Sequence, residues 1–263
     1  MKERLDVLLV RRQLCPSRER AKAEIKAGTV FVDGAKAEKP GQLCEEGAVL
    51  ELRGEALRYV SRGGLKLERA LTEFSISPAG KLCLDCGAST GGFTDCMLQN
   101  GARLVCALDV GTNQLAESLR SDGRVIVMEQ FNARNLRAED LPAAPEFITA
   151  DVSFISLRLI LPALAGVLAP NGDVVVLVKP QFEAGRERLG KNGVVRDPET
   201  HRQVLSELLD FFPSLGLYPQ NLTWSPIRGP EGNIEYLCHL RRENADYQPD
   251  IPSLVAEAHR VLT

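Results

Sequence analysis

The 263-residue sequence has no apolar run long enough to cross a bilayer. Its longest candidate, FISLRLILPALAGVLA, is interrupted by Arg158 and Pro162 and falls short of the roughly 20 residues a membrane helix needs. The opening MKERLDVLLVRRQL places charges where a signal peptide would carry its apolar segment. Neither export nor membrane insertion is expected, and the chain is expected to work in the cytoplasm. Seven cysteines are an odd number, and the single C-x-x-C of Cys83 and Cys86 has no second pair at metal-ligand spacing. Cys83 and Cys106 fall inside apolar strand-like runs and read as reduced, buried thiols, so no metal is expected. Only three histidines occur, His201, His239 and His259, and none stands in a clear catalytic context. A net charge of -3 makes no global case for nucleic acid, and no internal repeat or low-complexity tract is present.

Charge is unevenly spread, however. Residues 1 to 39 hold ten Lys or Arg against six Asp or Glu, and Arg58, Arg62, Lys66 and Arg69 follow with only Glu68 among them. Leu5, Leu8 and Leu9 have helical spacing, and a second helix is expected from Ser17, its N-cap, to Ala27, with Gly28 ending it. Arg18, Lys22 and Lys26 form a basic stripe on that helix, with Arg20 beside it. TVFVDGAKAE reads as a hairpin around Asp33-Gly34, and AVLEL as a further strand. The stretch SRERAKAEIKAGTVFVDG resembles the S4-type RNA-binding module, here over residues 1–57. The resemblance implies a small α+β domain that docks RNA through Arg18, Arg20, Lys22 and Lys26.

After a link over residues 58–65 the pattern changes. KLCLDC, ARLVCALD, VIVME, EFITAD and DVVVLVK are strand candidates, with helical stretches near 64–74, 91–100, 113–120, 156–168 and 199–212. Alternating elements of this kind predict an α/β domain over residues 66–263, a doubly wound sheet with helices on both faces. LYPQNLTW and NIEYLCHL are expected to close it as an antiparallel pair. In such sheets ligands sit beyond the carboxyl ends of the strands. A lysine that ends the aliphatic run VVVLVK is costly to bury alone and needs partners; Asp151 and Glu235 are the partners expected for Lys179.

Three chemistries compete for the loop DCGASTGGFT. Gly87-Ala88-Ser89-Thr90-Gly91 matches the G-x-S-x-G nucleophile elbow, which makes a serine hydrolase a rival, although no HGGG-type oxyanion segment is present. Gly87, Gly91 and Gly92 are wrongly spaced for a dinucleotide clamp, and the later G-x-x-x-x-G-K of Gly185 to Lys191 is followed by Asn192 where a P-loop needs Ser or Thr. The remaining reading is a glycine loop preceded by Asp85, with Asp109 ending the next strand where a ribose diol is held. Together these resemble the S-adenosylmethionine site of class I (Rossmann-like) methyltransferases. That resemblance implies cofactor contacts from Asp85, Gly87, Ala88, Ser89, Gly91, Gly92, Phe93 and Asp109, with Phe131 and Asn132 flanking the adenine.

Lys66 in SRGGLKLERA, Asp151 in TADVSFIS, Lys179 in VVVLVKP and Glu235 in EGNIEYL complete the pattern. Lys, Asp, Lys and Glu in this order resemble the K-D-K-E set of FtsJ-type RNA 2′-O-ribose methyltransferases. With an S4 module in front, nearly the whole chain is similar to the TlyA, or hemolysin A, family. Membership implies S-adenosylmethionine as cofactor, ribosomal RNA or ribosomal subunits as partner, and methylation at a cytidine 2′-hydroxyl. Arg62 and the glycine-rich basic loop with Arg186, Arg188 and Lys191 are further expected RNA contacts. An RNA-binding assembly factor with an inactive transferase domain is the alternative from another class; a haemolysin finds no membrane-inserting element in this sequence.

Overall fold

The computed structural model describes residues 2–15, 17–53, 58–190, 193–229 and 231–262. The chain divides into two compact units, Met1–Arg62 and Gly63–Thr263.

The first unit runs β1 (Lys2–Arg4), α1 (Leu5–Arg11), α2 (Arg18–Ala27), β2 (Val30–Val32), β3 (Ala35–Lys36), β4 (Leu43–Glu45) and β5 (Leu50–Leu52). Leu5, Leu8 and Leu9 are fully buried against Ala21, Ile25 and Val30, which is what their helical spacing predicts. The Ser17 hydroxyl accepts the Arg20 N–H, and Gly28 closes α2 in the left-handed region at φ 78°. Asp33 and Gly34 both take positive φ, the requirement of the two-residue turn between β2 and β3. In the first turn of α1 Asp6 is buried and receives Arg4 and Arg18, each at 3.0 Å. The hydrogen bond from Arg4, opposed by burial and aided by Arg18, holds the Asp6 carboxyl down at about 2.

The second unit runs α3 (Gly63–Glu73), β6 (Leu82–Cys86), α4 (Gly92–Gln99), β7 (Leu104–Leu108), α5 (Glu117–Arg120), β8 (Val125–Met128), β9 (Phe147–Ala150), α6 (Leu157–Val167), β10 (Asp173–Val178), α7 (Pro180–Glu183), α8 (Pro198–Phe211), β11 (Tyr218–Trp224), β12 (Tyr236–Arg241) and α9 (Ile251–Leu262). Among the described residues its sheet has seven strands in the order β11-β12-β10-β9-β6-β7-β8. β6 to β10 pair in parallel, whereas β12 is antiparallel to both β10 and β11. The expected closing pair is therefore present. All six residues of β10 are buried, as an aliphatic strand covered on both faces should be.

Two features of this topology place the site. The chain winds outward in one direction through β6, β7 and β8 and in the other through β9 and β10, so the order reverses between β6 and β9, the point where sheets of this kind place a ligand crevice at the carboxyl ends. Val178 at the end of β10 faces Tyr236 at the start of β12, which brings Glu235 to the same edge as Lys179.

Asp6→Ala leaves two arginines without their buried acceptor and is expected to cost about 1–3 kcal/mol. Hydrogen exchange should show lost protection in α1 and α2 but not in β6 to β10; unchanged protection in α1 would mean the ion pairs do not hold this unit.

Candidate active site

The four charged residues meet as two pairs. Lys179 Nζ lies 2.7 Å from Asp151 Oδ1, and Lys66 Nζ lies 2.6 Å from Glu235 Oε2. Asp151 is one of the partners expected for Lys179, but Glu235 belongs to Lys66, because the turn before β12 directs its carboxylate toward α3. Lys66, Lys179 and Glu235 are buried and Asp151 is half-buried. Burial pushes the Asp151 carboxyl up, but Lys179 and Lys66 together outweigh it and hold the group below the ordinary range. The influence of Lys66 on Asp151 makes the two pairs one electrostatic unit.

The glycine loop serves this unit from beneath. Gly87 takes φ 86°, and a Cβ there would meet the Asp151 carbonyl oxygen at 2.5 Å. Gly91, at φ 93°, leaves no room for a side chain against Leu115 and Leu119. Both glycines are thus demanded by internal packing. Ala88, Gly92 and Phe93 are buried with them, and Ser89 is exposed at φ 48°. Asp85 is fully buried, its carboxylate accepting the hydroxyls of Thr94 at 2.7 Å and Thr149 at 2.9 Å. Burial lifts that carboxyl to about 6 against the opposing pull of the two threonines. It braces the loop from below.

Asp109 is half-buried beyond β7, and its two oxygens accept the N–H groups of Gly111 at 2.7 Å and Ser89 at 2.8 Å. These bonds fix the carboxylate plane. The Phe131 N–H donates to the Asp109 carbonyl at 3.0 Å, and Asn132 follows with its side chain accepting the Arg134 N–H. Val110, 71% exposed, stands immediately next to Asp109. Glu129 went unnoticed in the sequence: it accepts the N–H groups of Asn113 and Gln114 and so ties down the loop after Asp109. An acid at the end of one apolar strand, just before a turn, was its only signal.

The hydrolase reading fails on its base. Ser89 has the strained backbone of an elbow, but its hydroxyl donates to Gln114. His201 bonds Tyr236 and the Val195 carbonyl, His239 bonds Asp173, and His259 packs edge-on against His201. Two further residues escaped the sequence reading. Ser153 accepts a hydrogen bond from Lys179 at 2.9 Å, and Phe154, 91% exposed at φ 63°, leans on Phe182 at 5.2 Å between ring centroids.

The expected RNA contacts fare unequally. Arg18 is engaged by Asp6, and Arg20 by Glu24 and the Tyr59 carbonyl, so their charges are already partnered. Lys22 is half-buried and Lys26 and Arg62 are exposed. Arg188 donates to Gln203 at 2.7 Å. Arg186 lies in a short 3-10 turn, and Lys191 falls outside the described residues.

An open α/β sheet whose order reverses at a charged crevice, together with a small two-helix unit, defines a two-part protein built for chemistry at the carboxyl edge. Residues 59–242 match the FtsJ-like methyltransferase model and residues 3–50 match the S4 domain. The sequence is 52% identical to YqxC of Bacillus subtilis, provisionally named an rRNA methyltransferase, over 99% of this chain and 95% of that protein. It is 43% identical to TlyA of Mycobacterium tuberculosis, named a 16S/23S rRNA (cytidine-2′-O)-methyltransferase, over 99% of this chain and 97% of that one. A solved structure of a provisionally named hemolysin from Streptococcus thermophilus shares 51% identity at a TM-score of 0.79, covering 99% of this chain and 96% of that one. The chain belongs to the FtsJ-like methyltransferase family, with TlyA and hemolysin A among its relatives.

The raised Asp85 carboxyl sets a measurable pH dependence. A group whose pKa is about 6 folded and about 3.9 unfolded binds its proton more tightly in the native state. Its contribution to stability is full below about pH 4 and lost as pH rises through about 6, on the order of 2–3 kcal/mol. Asp85→Asn removes this loss, so denaturant titrations should show the variant gaining on the native protein by that amount between pH 4 and pH 7. A constant difference across that window would contradict the assignment.

Proposed function

We propose that this protein transfers a methyl group from S-adenosylmethionine to the ribose 2′-hydroxyl of a cytidine in ribosomal RNA. The observation that carries the reading is the pair of lysine–carboxylate contacts, Lys179–Asp151 and Lys66–Glu235, buried side by side at the crevice. The relatives at 43% and 52% identity supply the substrate class.

The residues fit the cofactor. Asp109 offers a carboxylate oriented by two backbone donors, suited to a diol, and exposed Val110 offers an apolar face beside it. The loop from Gly87 to Phe93, carried on Asp85, would hold the amino-acid part, and Phe131 and Asn132 would border the base. When bound, the cofactor supplies a sulfonium methyl that is already activated. The protein must then hold the 2′-oxygen in line with it at about 3–3.5 Å and deal with the hydroxyl proton. Lys179 donates to that oxygen and orients it, and the hydroxyl proton passes to water as the oxygen takes the methyl. Asp151 fixes Lys179, and the Lys66–Glu235 pair balances the charge of the site.

Residues 1–57 would act as the RNA-docking domain, joined by 58–65 to the transferase domain at 66–263. With Arg18 and Arg20 partnered internally, Lys22, Lys26 and Arg62 are the cations left to meet phosphate there, and Arg188 does so from the other unit. Affinity for RNA should fall as salt rises. Among the described residues no helix is long and apolar enough to cross a membrane, and action on ribosomal particles in the cytoplasm follows from the substrate.

Purified protein with labelled S-adenosylmethionine and ribosomal subunits tests the reading. The native protein should label the RNA. Lys179→Met should keep cofactor affinity, measured by calorimetry, while losing most transfer; Asp109→Ala should lose cofactor affinity while staying folded. Native-rate transfer by Lys179→Met, or unchanged affinity in Asp109→Ala, would remove that residue from its role.

A further inference from the structure

Lys179 has two polar contacts of different character. Asp151 supplies charge and is half-buried; the other, the Ser153 hydroxyl, lies on an exposed residue. An ammonium has three N–H directions. With the ion pair to Asp151 at 2.7 Å and one N–H given to Ser153 at 2.9 Å, the rotation of the ammonium about its bond to the side chain is set and a further N–H direction is left. The Phe182 ring, 5.8 Å from Nζ to its centroid, borders the group on a further side. Without Ser153 the nitrogen could turn about its bond to the side chain while keeping Asp151.

The segment that carries Ser153 is held from a distance. Glu183, four residues beyond Lys179, accepts the Ser156 hydroxyl at 2.6 Å and the Leu157 N–H at 2.8 Å, capping α6 from another element. This clasp joins the two segments that supply Lys179 and its partners. Between them Phe154 keeps φ 63°, a conformation unfavourable for a bulky residue that persists only where surrounding contacts impose it. Burial also raises the Glu183 carboxyl above its ordinary range, against the two bonds it accepts. A strained loop tied down by a half-buried acid is an arrangement built to place what lies on it.

We propose that Ser153 is a positioning residue for Lys179, held in register by the Glu183 clasp, and that it aims the free N–H direction at the 2′-oxygen. The proposal rests on the methyl-transfer reading for its consequence, but its geometry can be tested without turnover. Labelling with acetic anhydride, read lysine by lysine by mass spectrometry, reports how firmly each amine is engaged. Ser153→Ala should raise labelling of Lys179 several-fold while Lys66 and the surface lysines stay as in the native protein; Ser153→Thr should restore protection. Equal Lys179 labelling in the native protein and Ser153→Ala overturns the proposal whether or not RNA is methylated.

Single-turnover transfer at saturating RNA supplies the second readout. Ser153→Ala should be 10- to 100-fold slower with cofactor affinity and melting temperature unchanged, because an exposed serine contributes little to stability. Ser153→Thr should recover most of the rate. Glu183→Ala should slow transfer and lower the melting temperature together, and Glu183→Gln, which can still engage both Ser156 and Leu157, should recover both. A native rate in Ser153→Ala, or a Thr variant as slow as the Ala variant, counts against Ser153 alone. Absence of transfer by the native protein counts against the methyl-transfer reading, and the labelling result then decides the positioning by itself.

Discussion

An ammonium group at the end of a strand buried on both faces is the constraint on which the second unit turns. Lys179 follows six buried residues of β10 and is itself only 8% exposed. Removing such a charge from water costs several kcal/mol, recovered only where a partner of opposite sign stands at hydrogen-bond distance. Asp151 must therefore occupy one position, beyond β9, and the parallel pairing of β9 with β10 is what brings it there. The neighbouring Lys66–Glu235 contact obeys the same rule across 169 residues of chain. Such pairs are poor sources of stability, since apolar residues of equal volume often do better. Their presence here accords with the methyl-transfer role proposed for them.

Much of the surrounding architecture serves to hold these charges. Gly87 lets the loop after β6 press on the Asp151 backbone, and Gly229 leaves room for Glu235, whose Oε1 a Cβ would approach to 2.5 Å. Asp85 braces the loop on its threonines while Asp109, fixed by Ser89 and Gly111, faces outward. Two aspartates at equivalent strand ends thus take different tasks by depth alone. One is fully buried; the other is half-buried.

How much of this can be read from the sequence depends on the range of the interaction. Ser17, Gly28 and Asp33-Gly34 act within a few residues, and their roles follow from local backbone chemistry. Runs such as DVVVLVK announce strands because burial on both faces imposes aliphatic side chains, and Lys179 stands out as a charge at the end of one. Pairing is harder. That Glu235 meets Lys66 depends on the turn preceding an antiparallel strand, and that Arg18 is spent on Asp6 depends on how two short helices cross. Neither leaves a local signature. Gly87 and Gly91 are legible as positions of positive φ, but the close approach of Gly87 to the Asp151 backbone is not, because the requirement for positive φ is the same whether the neighbour is a cofactor or the chain itself. Ser153 and Glu183 were invisible for a related reason: a serine in a loop and an acid after a proline are ordinary until the fold sets them against Lys179 and the start of α6.

The central claim is that the buried pairs are kept for their chemistry at some cost to stability. A thermodynamic cycle on Lys66 and Glu235 tests it most directly, by denaturant unfolding of Lys66→Met, Glu235→Met and the double variant. Each single change should destabilise by about 3–5 kcal/mol, because it strands a buried charge. The double variant, with no charge left to compensate, should return to native stability or exceed it. A double variant clearly less stable than the native protein would contradict this, for the ion pair would then be a net source of stability.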